Sequence, residues 1–309
     1  MNFTKTFAHI SQQDISIAGG KGASLGEMTR AKFPVPEGFV VLTSMFDRFL
    51  EETELSTEIN SLLQKVDLHN SESVEVISKN IRDLILSHDF PQDLSKEIIR
   101  EFSKLKTTYV AVRSSATAED SSAASWAGEL DSHLNVQKAN LLEKIKNCWA
   151  SLFTTRAIFY RFEKKLDRTK VSVAVVIQKM IQSQISGICF TVHPVSKDRN
   201  HIVIEAGYGL GEAIVGGIIT PDMYIVQKRE NIIVEKNINR QEIMIVKDMT
   251  EKPVPTSKQG KQKLDDTEIL KISQLCEKIE KYYKSSQDIE WAFTRGAFYI
   301  LQSRPITTL

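Results

Sequence analysis

The sequence lacks a strong excess of charge and any long apolar run. Its 309 residues include 40 basic and 39 acidic side chains, which leave a net charge of +1. A surface so close to neutral provides no overall field for nucleic acid or an anionic membrane, so any affinity for anions must be local. Neither the apolar core of a signal peptide nor a membrane-spanning run occurs. We therefore expect a cytoplasmic protein that binds neither nucleic acid nor a membrane.

Cysteine and histidine are also scarce. The three cysteines, Cys148, Cys189 and Cys276, are widely spaced and lack the C-x-x-C pattern of zinc sites, and the six histidines show no metal-ligand spacing. We expect the cysteines to be small buried hydrophobic side chains. The composition as a whole is that of an ordinary globular protein, 41% hydrophobic and 26% charged. The chain of 309 residues is long enough for one large domain or two lobes.

The C-terminal segment is the most informative part of the chain. Apolar and polar residues alternate on either side of a turn at Arg295 and Gly296, which predicts two β-strands. Glu290, Gln302 and Arg304 lie inside these strands, where an unpaired charge is unfavourable. Carboxylate and amide oxygens suit Mg²⁺, and a guanidinium group binds phosphate. The alternative is an internal Glu–Arg salt bridge that closes a sheet edge, and the hairpin alone leaves both interpretations open.

A metal site on this hairpin requires a particular strand register. Side chains alternate between faces, so Gln302 and Arg304 share a face automatically. A two-residue turn, however, would place Glu290 opposite Leu301. We therefore expect a loop longer than two residues, such as residues 295–297, or a bulge.

Three further segments could contribute to a phosphate site. Lys21 lies in a glycine-rich turn before a helical pattern, where backbone N–H groups favour an anion, although a tight turn with a surface lysine is the alternative. Arg113 ends a buried strand before a Ser-rich segment, 114–125, which could close over phosphate oxygens or be a solvent-exposed loop. Trp126 and its hydrophobic sequel weigh against the exposed loop. The glycine-rich stretch 207–217 lacks the G-x-G-x-x-G spacing of a dinucleotide site, which excludes a Rossmann fold.

Periodicity elsewhere predicts a mixture of helices and strands. Residues 51–106 are helical in pattern throughout, with Pro91 suited to a first turn. Residues 171–181 form a continuous β-branched run that is typical of a buried strand. Residues 267–283 have the pattern of an amphipathic helix, and the polar stretch 250–263 is the best candidate for a mobile loop.

In this order, these segments resemble the N-terminal nucleotide-binding domain of the phosphoenolpyruvate synthase, pyruvate phosphate dikinase and rifampin phosphotransferase family. The resemblance covers essentially the whole chain and rests on GGKGASLGEM, VPEGFVVLT, VAVRSSATAEDSSAASWAGELDSHLNV, CWASLFTTRAIFYR, VVIQKMI, GYGLGEAIVGG and QDIEWAF with YILQSRPITT. It implies an α+β, ATP-grasp-like fold with nucleotide in the cleft between two lobes. Residues 1–177 would hold the Gly-Lys turn, the helical scaffold and the Ser-rich flap. Residues 178–309 would hold the adenine-side strand, the glycine-rich loop and the metal-binding hairpin.

The resemblance also assigns phosphate and metal ligands. Lys21 and Arg113 match the phosphate-binding lysine and arginine of the family, and Arg304 matches the arginine that engages the terminal phosphates. These three cations would stabilise charge on the transferred phosphoryl group and are the candidate catalytic residues. Glu290 and Gln302 match the metal-coordinating pair. ATP and Mg²⁺ are therefore the implied cofactors.

The adenine ring is assigned to a different segment. Gln178, Lys179 and Met180 match the stretch between the lobes that receives adenine, where backbone N–H and C=O groups can bind the ring edge. One position departs from the family pattern, because Glu129 stands where the family often has glutamine. A carboxylate there would repel polyphosphate unless it is neutralised, which puts a direct phosphate contact in doubt.

The activity implied by the resemblance is cleavage of Mg-ATP, to AMP and phosphate, with phosphorylation of a histidine on a separate swivelling domain. That domain would serve an acceptor such as rifamycin or pyruvate. None of the six histidines lies in the glycine-rich motif of a phosphohistidine domain, so we expect that domain elsewhere in a longer chain or on a partner subunit. The alternative is an ATP-sensing or interaction module without catalysis. Retention of all five phosphate and metal residues counts against it.

Overall fold

The structure is a computed structural model that describes residues 2–117, 131–163 and 172–307. The chain divides into two compact units, the first of residues 1–31 and 37–180 and the second of residues 32–36 and 181–309. The division after residue 180 lies three residues beyond the predicted boundary, because Gln178 and Lys179 complete a strand of the first unit. Residues 32–36 join the second unit, where the Ile300 N–H donates to the main-chain oxygen of Pro34 at 2.9 Å.

The first unit combines one sheet with a set of helices. Its strands and α-helices are β1 (Thr4–Thr6), α1 (Ile15–Arg30), β2 (Gly38–Val41), α2 (Thr43–Glu52), α3 (Leu55–Leu63), α4 (Ser71–Ser87), α5 (Gln92–Lys104), β3 (Val110–Ala116), β4 (Ser132–Val136), α6 (Leu141–Ala150), α7 (Thr155–Glu163) and β5 (Val173–Lys179). The sheet order is β1-β2-β5-β3-β4, and every neighbouring pair is antiparallel. The β-branched run predicted as a buried strand forms β5, at the centre of the sheet.

Aromatic packing holds the helices of the first unit together. The Trp149 ring lies 5.1 Å from the Phe46 ring and 5.2 Å from the Phe49 ring, measured between centroids. These side chains are buried in one core with residues of α4, α5 and β5. In α5, Leu94, Ile98 and Phe102 are buried, as their helical spacing predicts. The helical pattern of residues 51–106 is thus resolved into separate packed helices.

The second unit is built on a larger sheet. Its elements are β6 (Ile185–Phe190), β7 (His201–Tyr208), α8 (Glu212–Val215), β8 (Asp222–Gln227), β9 (Ile232–Asn237), β10 (Ile243–Ile245), β11 (Glu251–Pro253), α9 (Asp266–Tyr283), β12 (Gln287–Thr294) and β13 (Ala297–Pro305). The six-stranded sheet has the order β13-β12-β6-β7-β8-β9, and β10 pairs with β11 separately. Both units mix helices and sheet, so the predicted α+β class is confirmed.

Helix α9 begins at a capping box and buries one face. The Asp265 side chain accepts from the Glu268 N–H at 2.8 Å, and the Glu268 side chain accepts from the Asp265 N–H at 2.9 Å. The polar stretch 250–263 before this helix, which the sequence offered as the best candidate for a mobile loop, contains β11 and ends at a buried ion pair. There the Lys263 Nζ lies 2.6 Å from the Asp222 Oδ1, and both side chains are fully buried. That ion pair fastens the stretch to β8.

The three cysteines are free and buried, as expected. Burial raises the pKa of the Cys148 thiol to about 12, so this side chain behaves as a neutral hydrophobic group. Within the described residues, no helix is long and apolar enough to cross a membrane.

Candidate functional site

Lys21 follows a break inside α1. Gly19 has φ 68° and ψ 173°, so the helix is interrupted there and continues from Gly20. Only glycine adopts this conformation without strain. A Cβ atom on Gly19 would lie 2.2 Å from the main-chain oxygen of Ser115, so the break packs directly on β3. The predicted glycine-rich turn before a helix is therefore a one-residue break within a helix.

The Ser115 hydroxyl joins the two sides of this break. It donates to the main-chain oxygen of Ala18 at 2.9 Å and accepts from the Gly22 N–H at 3.1 Å. The first N–H groups of a helical segment have no partner within the helix, and they commonly bind side chains or anions. Ser115 satisfies one of these groups and fixes the position of the segment that carries Lys21.

Arg113 and Gln178 lie on the sheet face that this helix contacts. In the ladder between β3 and β5, Arg113 is opposite Val176 and Gln178 is opposite Ala111. Residues directly opposite each other share a face, so Arg113 and Gln178 share the face of Ser115. Lys21, Arg113 and Gln178 are called the α1 wall below. The resemblance assigned all three to the nucleotide. Arg113 and Gln178 share one face of the first unit's sheet, and α1, which carries Lys21, packs on that face.

The adenine-side segment differs from the expectation in one respect. The Lys179 N–H donates to the Glu37 main-chain oxygen at 2.8 Å, and the Met180 N–H donates to the Tyr109 main-chain oxygen at 3.0 Å. Sheet and loop pairing therefore occupies both N–H groups, which leaves the C=O groups and the side chains of this segment for the adenine edge. The Gln178 Nε2 is buried and has no hydrogen-bond partner in the described part of the chain. Its side-chain amide is the donor that remains.

The second cluster lies on the hairpin of β12 and β13. Arg295 and Gly296 have φ of 51° and 78°, and the flanking Thr294 and Ala297 are paired. This is a two-residue loop with left-handed backbone at both positions, as in type I′ hairpins. The expected loop of more than two residues is therefore wrong.

A bulge supplies the register that the longer loop was expected to supply. Trp291 is opposite Ile300, whereas Glu290 is opposite Gln302, so Leu301 is an extra residue in β13. The bulge alternative is thus confirmed. Glu290 and Gln302 share one face, and Arg304 lies two residues further along that face. Glu290, Gln302 and Arg304 are called the hairpin wall below.

The donor set of the hairpin wall fits a magnesium ion. Gln302 is 6% exposed, and its Oε1 has no hydrogen-bond partner among the residues that the structure describes. A buried amide oxygen opposite a carboxylate provides two hard oxygen ligands. The described residues contain no group of three or more His, Cys, Asp or Glu side chains that could hold a metal. That is compatible with Mg²⁺, which is commonly held by one or two protein ligands together with phosphate and water.

Sequence reasoning missed Asp288, which is opposite Arg304 in the hairpin. The Arg304 Nε donates to the Asp288 Oδ2 at 2.8 Å. Burial raises the Asp288 pKa, Arg304 opposes that change, and the charge of Glu290 adds to it. The Arg304 Nη2 also lies 2.7 Å from the Asp288 Oδ2, so these two side chains form an ion pair. The sequence did contain a signal for Asp288: it lies two residues before Glu290, so the two side chains share one face of the strand.

Comparison with known proteins assigns the chain to a family. The family described as pyruvate phosphate dikinase, AMP/ATP-binding domain, matches residues 15–309. The chain belongs to this family. The resemblance predicted from the sequence motifs is thereby confirmed.

Curated relatives of this AMP/ATP-binding domain are longer proteins. The chain is 44% identical to a probable phosphoenolpyruvate synthase of Methanocaldococcus jannaschii, over 100% of this chain and 27% of the relative. It is 41% identical to a second probable phosphoenolpyruvate synthase, from Methanothermobacter thermautotrophicus, over 100% of this chain and 46% of the relative. It is 38% identical to the rifampicin phosphotransferase of Bacillus subtilis, over 97% of this chain and 35% of the relative. The domain therefore spans less than half the length of each of these relatives.

The glycine-rich stretch of the ATP-binding domain connects β7 to α8. Strand β7 is antiparallel to both β6 and β8, so no parallel β-α-β unit of a dinucleotide site occurs here. The main-chain oxygen of Gly209 accepts from the hydroxyls of Ser183 at 2.9 Å and Ser186 at 2.8 Å. These bonds fix the start of the connection. The Ser-rich flap beyond Thr117, with Trp126 and Glu129, lies outside the described residues.

Proposed function

We propose that this ATP-binding domain has an ATP-grasp-like arrangement of two lobes and holds Mg-ATP in the cleft between them. The observation that carries the proposal is the pair formed by Glu290 and Gln302. A buried amide oxygen without a hydrogen-bond partner in the described part of the chain is unfavourable unless a ligand satisfies it. Bound Mg²⁺ would neutralise charge on the phosphate oxygens, and these two residues would hold it.

The phosphate groups of the nucleotide would be bound by three cations. Lys21 and Arg113 would contribute from the α1 wall, and Arg304 would contribute from the hairpin wall. Asp288 would act as a positioning residue, because its ion pair holds the Arg304 guanidinium. Fixed positive groups stabilise the charge on a phosphoryl group during transfer, and they supply most of the catalysis in such reactions.

Adenine would be bound by Gln178, Lys179 and Met180. Because strand and loop pairing occupies the N–H groups of Lys179 and Met180, the contacts would come from their C=O groups and from the Gln178 amide. The buried Ile177 lies beside this segment in sequence.

The reaction that we propose cleaves both phosphoanhydride bonds of ATP: one phosphoryl group is transferred to a histidine, a second is taken up by water and leaves as phosphate, and AMP remains. That histidine would lie on a separate domain, in the same longer chain or on a partner subunit. The relatives are named phosphoenolpyruvate synthase and rifampicin phosphotransferase, so pyruvate and a rifamycin are the candidate final acceptors. The choice between them belongs to other domains.

Calorimetric titration with ATP tests the metal site. We expect ATP to bind in the presence of Mg²⁺, with Glu290→Ala weakening binding by at least about tenfold, because a charged ligand is lost. Chelation of the metal should reduce the difference between the two proteins. Glu230→Ala, in the exposed turn between β8 and β9, is the matched control. Equal ATP affinity in wild type and Glu290→Ala would overturn the assignment.

A second measurement tests the catalytic proposal. The chain is mixed with ATP, Mg²⁺ and a phosphohistidine domain from a relative, and AMP is quantified. We expect AMP and a phosphorylated histidine to form in equal amounts. ATP binding without AMP formation would instead indicate an ATP-sensing module.

A further inference from the structure

Glu205, on β7, lies on the same sheet face as the hairpin wall. Gln302 is opposite Glu290, Glu290 is opposite Ile188, and Ile188 is opposite Glu205. These four residues form one row across β13, β12, β6 and β7, because directly opposed side chains share a face. Neighbouring strands are about 4.8 Å apart, so the backbone of Glu205 lies roughly 10 Å from that of Glu290.

The surface around Glu205 is apolar and partly exposed. Ile188 lies between the two glutamates, Met223 follows Glu205 on β8, and both are half-buried. Phe190 lies two residues beyond Ile188 on the same face and is also half-buried. A strip of this kind suits the carbon atoms of a sugar. It extends from the proposed metal ligands toward Glu205.

The Glu205 carboxylate is in an unfavourable environment for a charge. Burial raises its pKa, and the nearby charge of Asp288 raises it further. No residue in the described part of the chain forms a hydrogen bond or an ion pair with this carboxylate. A half-buried carboxylate beside a like charge is stabilised when a donor or a cation binds to it. An external ligand is therefore expected.

Two classes of ligand could satisfy this carboxylate, a metal ion or a pair of hydroxyl donors. A metal shared with Asp288 and Glu290 would require three converging carboxylates, and no such group occurs among the described residues. Hydroxyl groups are the class that the nucleotide itself supplies. A nucleoside triphosphate whose Mg²⁺ is held at Glu290 and Gln302 carries two such hydroxyls on its ribose, which is bonded directly to the first phosphate.

We propose that Glu205 accepts hydrogen bonds from the ribose hydroxyls of the bound nucleotide and thereby selects ribonucleotides over deoxyribonucleotides. This inference rests on the proposed function, since the triphosphate must be anchored on the hairpin wall. A site that is built to bond a hydroxyl group rejects an analogue that lacks it, because the buried polar group is then left unpaired. The ribose would lie across β6 and β7.

The test compares ATP, 2′-deoxy-ATP and 3′-deoxy-ATP in calorimetric titrations with Mg²⁺. We expect wild type to bind ATP at least about tenfold more tightly than the weaker deoxy analogue, as is typical of a hydrogen bond to a charged group. Glu205→Ala should lose this preference while its affinity for that analogue stays within about twofold of wild type. Glu205→Gln preserves the side-chain volume and should show a reduced preference. Glu230→Ala should match wild type for all three nucleotides.

Three outcomes would overturn the inference. Wild type could bind all three nucleotides equally, Glu205→Ala could weaken all three by the same factor, or its ATP defect could disappear as the Mg²⁺ concentration rises. The last result would identify Glu205 as a metal ligand. In each case ATP binding and its dependence on Glu290 survive. Absence of ATP binding by wild type would instead overturn the proposed function and this inference together.

Discussion

The two walls are fixed by different physical means. The α1 wall depends on one position, where Gly19 lies against Ser115 and only the absence of a side chain permits the contact. The hairpin wall depends on the register of β12 and β13. A bulge at Leu301 shifts that register by one residue, so that Glu290 is opposite Gln302. Adding one methyl group is therefore enough to disrupt the close contact that positions the α1 wall. A register is shared among many hydrogen bonds, so single substitutions on the hairpin should have smaller effects on folding.

Gly19→Ala should have the largest effect. The substitution combines a backbone conformation that alanine avoids with a Cβ placed 2.2 Å from the Ser115 oxygen. We expect a loss of at least about 2 kcal/mol in the free energy of unfolding, from strain and overpacking together. Urea denaturation measures this loss, and ATP titration of the remaining folded protein should show weakened binding.

Gly217→Ala is the matched control for this effect. Gly217 also has a positive φ, of 65°, but a Cβ there would meet nothing within 4 Å. We expect a loss of about 1 kcal/mol, from backbone conformation alone. Equal losses in the two variants would show that the contact with Ser115 does not constrain the α1 wall.

Ser115→Ala should have the next largest effect. It removes the hydroxyl that joins Ala18 to Gly22 and leaves a buried N–H group without that acceptor, which costs about 1–3 kcal/mol. We expect ATP binding to weaken as well, because the segment that carries Lys21 loses its anchor. Thermal unfolding and ATP titration measure the two effects separately.

Ser114→Ala separates stability from binding at the neighbouring position. The Ser114 hydroxyl lies on the opposite face of β3 and donates to the main-chain oxygen of Cys148 at 3.3 Å. We expect this variant to lose stability while it retains wild-type affinity for ATP. A similar loss of ATP affinity in both serine variants would indicate that the effect of Ser115→Ala comes only from general destabilisation.

Asp288→Asn tests the hairpin wall and should change stability by less than about 1 kcal/mol, because its partner Arg304 is 45% exposed. ATP affinity should fall, since the guanidinium group loses the carboxylate that orients it. If ATP affinity is unchanged, Asp288 does not position Arg304 for the nucleotide.

The pH dependence of the same variant has a defined sign. The pKa of Asp288 is raised in the folded protein above its ordinary value of 3.8, so the native state binds more protons than the unfolded state between those two pKa values. Stability contributed by this group is therefore present at low pH and is lost as the pH rises through that window. Relative to Asp288→Asn, wild type should lose stability over this range. A gain in relative stability would contradict the raised pKa.

The smallest effect is expected in thiol labelling. This measurement compares the reactivity of one cysteine in the first unit with that of one cysteine in the second. Cys148 lies beneath β3 with its pKa raised to about 12, and Cys189 is buried within β6. We expect neither thiol to react with iodoacetamide at pH 8 until the protein unfolds, because the reactive thiolate is suppressed. Faster labelling of one cysteine in the native protein would identify the unit that opens more readily.

Much of the hairpin could be predicted from the sequence, because alternation fixes which residues share a face. The need for a bulge followed from the numbering of Glu290 and Gln302, although its position at Leu301 depends on tertiary pairing. The partner of Arg304 was missed because cross-strand neighbours are known only once the register is known. The occupied N–H groups of Lys179 and Met180 were missed for the same reason.

The α1 wall was less predictable. The glycines near Lys21 indicated a close approach of backbone, but the sequence did not identify whether a ligand or the protein itself fills the space. The contact with Ser115 comes from a residue 96 positions later in the chain, and no local pattern encodes it. Long-range packing of this kind depends on the assembled sheet.

The most direct test is a calorimetric titration of Mg-ATP into wild type, Lys21→Ala and Glu290→Ala. We expect one ATP per chain, and weaker binding in both variants, because each removes a ligand of the same nucleotide from a different wall. Two ATP molecules per chain, or a loss of affinity in only one of the variants, would contradict the proposal that both walls bind one nucleotide.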